Sequence, residues 1–192
     1  MAEVKSWEVS DSFWQKVKPL IPSPKPDPNK QYLRKPGGGR KPMPARKIFA
    51  GIVYVLRTGC QWKALPKEDF ASSSAIHTHF LRWAESGFFV SLWRAGLAEY
   101  DEMEGISWKW QSIDGATVKA ALVQETVGPN PTDRGKKGSK RNLLVDGCGV
   151  PLSLVVSGAN RHDVTQLEIV IERPDDIEQH LCADKGYYGD SA

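Results

Sequence analysis

Apolar positions along the chain change their spacing near residue 105, which divides it into a helix-forming first part and a sheet-forming second part. Phe13, Trp14, Val17, Leu20 and Ile21 recur at helical spacing, with Ser10 or Asp11 placed to cap the first amides. Pro22, Pro24, Pro26 and Pro28 end that helix and keep the next segment extended, because proline lacks an amide donor and restricts the residue before it. Pro44 opens a second helix whose Ile48, Phe49, Ile52, Val53, Val55 and Leu56 form a broad apolar face, and Gly59 stands where it should stop. After a break at Pro66, Ser72, Ser73 and Ser74 can cap a third helix. It carries Ile76, Phe80, Leu81 and Trp83 inward and His77, Thr78, His79 and Arg82 outward, and ends near Gly87. These two helices have the outline of a helix-turn-helix with a long turn; a plain helical bundle serving dimer contacts is the alternative. A fourth helix over 88–103 buries Phe89, Leu92, Trp93, Leu97 and Tyr100 and closes a helical domain spanning 1–104.

Beyond it the reading is strand 108–118, strand 140–146, strand 152–157, a helix capped by Asp163 and carrying Val164, Leu167, Ile169, Val170 and Ile171, then a short buried strand at 181–183. Asp146, in Asp146-Gly147-Cys148-Gly149, reads as a turn residue and not a ligand. The expected class is α+β, with a second domain over 105–192.

Charge adds a partner. The net charge of the 192 residues is only +3, but the cations are clustered, which matters more than the total for a polyanion. Arg34, Lys35, Arg40, Lys41, Arg46 and Lys47 sit in an arm over 22–47 broken by Gly37-Gly38-Gly39 and by prolines. Such an arm can follow a phosphate backbone or enter a minor groove; the plainer reading is a solvated linker. The glycines are not a nucleotide-binding loop, since the lysine and Ser/Thr of that pattern are missing. Arg134, Lys136, Lys137, Lys140 and Arg141 form a second cluster between strands, either a phosphate-contacting loop or a solvated hairpin connection. His79 and Arg82 on the third helix, and Arg161 and His162 before the last helix, are further candidates for DNA contact. Tyr187 and Tyr188 can stack on a base or pack in the core. The three cysteines, Cys60, Cys148 and Cys182, are too scattered for a disulfide framework or a zinc site, which fits a reducing cytoplasm. Neither a signal peptide nor a membrane span is expected.

Two acids carry the candidate chemistry. Asp114 in Ser112-Ile113-Asp114-Gly115 and Asp184 in Ala183-Asp184-Lys185-Gly186 each lie at or near the end of a β-like run, followed by glycine or lysine-glycine. The acid can project from a sheet while the backbone turns away. Magnesium takes oxygen ligands, usually one or two protein carboxylates with water and substrate phosphate, so two such acids on neighbouring strands suit phosphodiester chemistry. Aspartate before glycine is also a common turn dipeptide.

The runs SIDGATVKA, GPNPTDRGKKGSKRNLLVDGCGVPLSLVVSGANRHDVTQLE and HLCADKGYYGD resemble the insertion-sequence-five family of bacterial DDE transposases, and RKPGGGRKPMPARKIFAGIVYVLRTGCQWKALP is similar to that family's N-terminal domain. The resemblance covers nearly the whole chain. It implies a ribonuclease-H-like domain in which the strand bearing Asp184 lies beside the strand bearing Asp114, the two acids holding Mg2+ (or Mn2+). It implies cutting of double-stranded DNA at transposon ends and transfer into a target, in a bacterial, nucleoid-associated, cytoplasmic setting. The family's third acid, a glutamate on a later helix, has no counterpart before Ala192. The expectation is therefore a partial catalytic domain, inactive alone, with an open sheet edge that favours association of copies. It would be a first-frame product of a frameshifted element or a decayed remnant. A DNA-binding regulator or inhibitor of transposition is the alternative function.

Overall fold

The computed structural model describes residues 7–23, 41–119, 126–171 and 178–188. Arg34, Lys35 and Arg40 of the expected arm lie outside the described residues. Contacts cluster in two units, Met1–Gly96 and Leu97–Ala192.

In the first unit, α1 (Asp11–Val17) is capped as its sequence suggests, with the Phe13 amide donating to Ser10 Oγ, and then tightens into a 3-10 turn at Lys18–Leu20. Helix α2 (Ala45–Thr58) follows Pro44 and buries Ile48, Phe49, Ile52 and Val55. Gly59 ends it in the left-handed conformation (φ 67°) that glycine adopts without steric cost, its amide donating to Val55 O. Helix α3 (Ser73–Glu85) buries Ile76 and Trp83, and α4 (Phe88–Met103) begins at the fully buried Phe88. The α2 and α3 helices meet where Gly51 lacks a side chain: a Cβ there would lie 2.6 Å from Ile76 Cδ1. The connection over 59–72 contains a 3-10 turn at Trp62–Ala64 and is far longer than the three or four residues of a standard helix-turn-helix. Ser72 precedes α3 but forms no side-chain cap; its Oγ is taken by Ser74 Oγ at 2.8 Å.

The second unit is a five-stranded mixed sheet of β1 (Trp110–Lys119), β2 (Gly128–Pro129), β3 (Lys137–Asp146), β4 (Pro151–Gly158) and β5 (His180–Ala183), with α5 (Val164–Val170) before β5. Strands β1 and β3 are antiparallel, β4 adds to β3, and β5 returns parallel to β1. The class is α+β, and the last strand lies beside the first, as expected of a ribonuclease-H-like domain. Period-two alternation sets the two faces of the sheet. Ile113, Leu144 and Leu152 point to one face and form a core with Val170 of α5 and Tyr187. The other face carries Asp114 together with the exposed Val118, Leu143, Leu154 and Val156. Asp146 ends β3 as the turn residue the sequence suggests. Its buried carboxylate accepts the Ser107, Cys148 and Val150 amides at 2.8 to 3.0 Å.

Candidate active site

Strand pairing brings the two acids together. In the parallel β1–β5 ladder, Ile113 is in register with Ala183, so Asp114, the next residue of β1, and Asp184, the first residue past β5, follow directly after the last pair. The ladder is reinforced beside its backbone bonds. Trp110 stacks on His180 at 4.5 Å, and Gln111 Nε2 donates to Gln179 Oε1 at 3.2 Å. Both carboxylates are exposed and similarly held. Asp114 Oδ1 accepts from the Gly115 amide at 2.8 Å, and Asp184 Oδ1 from the Gly186 amide at 2.9 Å. Neither second oxygen has a partner among the described residues.

The glycines after the acids stand at close approach to their neighbours. A Cβ on Gly115 would lie 3.0 Å from Tyr187 Oη, 3.1 Å from Asp163 Oδ1 and 3.2 Å from Asn142 Oδ1. One on Gly186 would lie 3.0 Å from Asp163 Oδ2 and 3.1 Å from Asp184 Oδ1. A polar group thus stands behind the acid pair on the α5 side of the sheet. Tyr187, 4% exposed, donates to Asn142 Oδ1 at 2.8 Å, and Asn142 is fully buried. Burial holds the Tyr187 phenol far above its ordinary range, and the nearby negative charges of Asp163, Asp114 and Asp184 push the same way, so it is a neutral donor.

Asp163 departs from its expected role. It precedes α5 but makes no side-chain cap; its carboxylate, 21% exposed, pairs instead with Lys140 Nζ at 3.0 Å. Lys140 Nζ donates its hydrogen bond to Asp163 Oδ2 at 3.1 Å, while Oδ1, at ion-pair distance, accepts none. Lys140 also donates to Arg161 O at 3.2 Å and is 15% exposed, so its charge is committed to the fold rather than offered to DNA. Asn142, Asp163 and Tyr187 were not read as a group because their separations along the chain carry no periodic signal; the glycines after each acid were the available hint of a crowded site.

The other cations are scattered in their surroundings. Arg134, Lys136, Lys137, Arg141, Arg161 and His162 are exposed, with Lys136 3.7 Å from Asp133. The cluster is not a loop alone: Lys137, Lys140 and Arg141 belong to β3, while Arg134 turns the chain at φ 53°. In the helical unit Lys41, Lys47 and Arg82 are exposed. Arg46 instead ties α2 to α1, bonding Asp11 at 2.6 Å and Val9 O at 2.8 Å. His79 is half-buried, edge-on to Trp83, and its pKa is lowered by burial and by Arg82, so it is a weak phosphate partner at neutral pH. His77 packs against Trp62 at 4.9 Å. Among the described residues, no group of three or more His, Cys, Asp and Glu has a metal-holding arrangement, and no helix is long and apolar enough to cross a membrane.

Comparison with known proteins agrees with both parts of the chain. Residues 9–93 match the family described as "Putative transposase of IS4/5 family", and residues 111–191 match the family described as "Transposase DDE domain". An insertion element IS402 uncharacterized 16.2 kDa protein of Burkholderia cepacia is 29% identical over 124 residues, 64% of this chain and 80% of that protein. A protein named "Putative transposase for insertion sequence element IS402", from the same organism, is 51% identical over 45 residues, 23% of this chain and 21% of that protein. The helical region and the acid-bearing sheet each match a transposase family, in that order: both parts of the chain are similar to insertion-sequence transposases, the second to their DDE domain.

Proposed function

We propose that Asp114 and Asp184 form the metal-binding centre at which this transposase breaks and rejoins DNA phosphodiester bonds, at the ends of its element and at the target. The observation that supports the reading is the β1–β5 register, whose last pair, Ile113 with Ala183, immediately precedes the two acids. The donor set fits Mg2+ (or Mn2+). Each acid keeps one oxygen tied to a backbone amide and one without a protein partner, and hard oxygen donors with open positions suit an ion that retains water and substrate phosphate. When bound, the ion supplies charge to a phosphoryl oxygen and lowers the pKa of a ligated water or hydroxyl.

The chain's own part is positioning. The Gly115 and Gly186 amides orient the carboxylates, and the Tyr187–Asn142 bond fixes the turn that carries Asp184. The exposed Arg134, Lys136, Lys137, Arg141, Arg161 and His162 of the same unit are the proposed backbone contacts, with Lys41, Lys47 and Arg82 in the helical unit.

The test is nicking of DNA carrying the element's ends in Mg2+ or Mn2+. Asp114→Ala and Asp184→Ala should each lower it roughly a hundredfold or more; nicking by both variants at the wild-type rate overturns the assignment. A second reading, binding of ends without cleavage, draws on the exposed cations of both units. It is favoured by end-specific, salt-dependent binding from a chain that nicks with neither metal.

A further inference from the structure

A cavity of about 480 Å³ opens between β2, the end of β4 and the start of α5, apart from the acid pair. None of its lining residues is acidic, and its one formal charge is Arg161, an exposed guanidinium with no ion pair among the described residues. Ser157 Oγ is buried there without a hydrogen-bond partner. A buried hydroxyl left unpaired costs stability unless something occupies it, so this group marks a place where a ligand oxygen would be welcome. Asn160 lies against two glycines: a Cβ on Gly158 would come within 2.7 Å of its Oδ1, and one on Gly128 would collide with it outright. Gln166, 91% buried, closes one wall with its Nε2 tied to Thr165 Oγ1. The lining therefore offers donors and a cation, and the missing partner is an anion.

We propose that this cavity binds one phosphate group of a DNA strand, held by the Arg161 guanidinium and the Ser157 hydroxyl. Ser157 is in register with Lys140, and Lys140 with Thr117, so the cavity is three residues, about 10 Å, along β1 from the level of Asp114 and, by the odd offset, on the α5 face of the sheet rather than the face that carries Asp114. It binds backbone without reading sequence. That the phosphate belongs to DNA rests on the proposed function; the site itself does not.

The test is binding of a labelled element-end duplex by fluorescence anisotropy, in EDTA, with single phosphates replaced in turn by neutral methylphosphonates. In the wild-type protein one or two adjacent positions should each weaken binding about tenfold. Arg161→Gln should weaken binding of unmodified DNA to a similar extent, reduce the salt slope by about one, and abolish any further penalty at those positions. Ser157→Ala should lose part of the same penalty. Absence of any single sensitive position, or an equal penalty at every position in wild-type and Arg161→Gln proteins, overturns the proposal. Because metal is excluded, such a failure leaves the Asp114–Asp184 assignment standing, and failed nicking leaves this site standing.

Discussion

The Tyr187 hydroxyl donates to Asn142 Oδ1 at 2.8 Å, joining the turn that follows the second acid to the strand that pairs with the first. Tyr187→Phe removes the donor and leaves a fully buried amide oxygen without a partner. The expected cost is about 1–3 kcal/mol in chemical denaturation of the sheet unit. Nicking should fall by more than stability alone explains, because the turn is released. An unchanged denaturation midpoint would contradict the role given to this bond.

The same phenol sets an alkaline limit. Its pKa is raised in the folded protein above the ordinary value of 10.0, so folding favours the neutral form. That contribution is complete below pH 10 and is lost as pH rises above it, since the unfolded chain ionises first. Thermal stability should therefore drop above pH 10 more steeply in the wild type than in Tyr187→Phe, and parallel profiles would refute the assignment. Tyr100 is shifted in the same direction and forms the background against which the difference is read.

Gly115→Ala tests the crowding behind the acids. A methyl group there meets three polar oxygens at 3.0 to 3.2 Å, so the strand or Tyr187 must shift. A loss of about 1–3 kcal/mol is expected, with a larger proportional loss of nicking than Ala116→Gly shows on the same strand.

Asp146 is predicted to be structural. Asp146→Ala strips the acceptor from three amides around the β3–β4 turn and should cost about 2–3 kcal/mol, whereas Asp146→Asn keeps an acceptor and should cost less. Neither variant should alter metal affinity, as measured by Mn2+ titration.

Arg46 separates fold from DNA contact. Its bonds to Asp11 and Val9 O predict a loss of about 1 kcal/mol for Arg46→Ala, with the salt dependence of DNA binding unchanged. A salt slope lowered by about one would return Arg46 to the DNA-contacting set.

Local signals are legible in the sequence, and distant pairings less so. Pro44 and Gly59 bracket α2, and the alternation of β1, β3 and β4 is plain, because these features reside in a few consecutive residues. The pairing of β5 with β1 followed from strand order and family resemblance, not from the four residues of β5 themselves. Strand β2 was missed: Gly128 and Pro129 have little strand propensity, and only pairing with Gly138 and Lys137 makes them one. Asp163 before an apolar run looks like a helix cap, and nothing near it announces that Lys140 claims its carboxylate. Ser72 likewise stands at a cap position while its hydroxyl is engaged by Ser74.

The β1–β5 ladder joins only four residue pairs, and the hairpin of β3 and β4 with α5 intervenes in the chain between the two acids. The carboxylates are neighbours only while this short edge holds, so a chain still emerging from the ribosome, or one with its last strand frayed, carries two isolated surface charges. The paired carboxylates, and any chemistry that needs both at once, are thus confined to the fully assembled state.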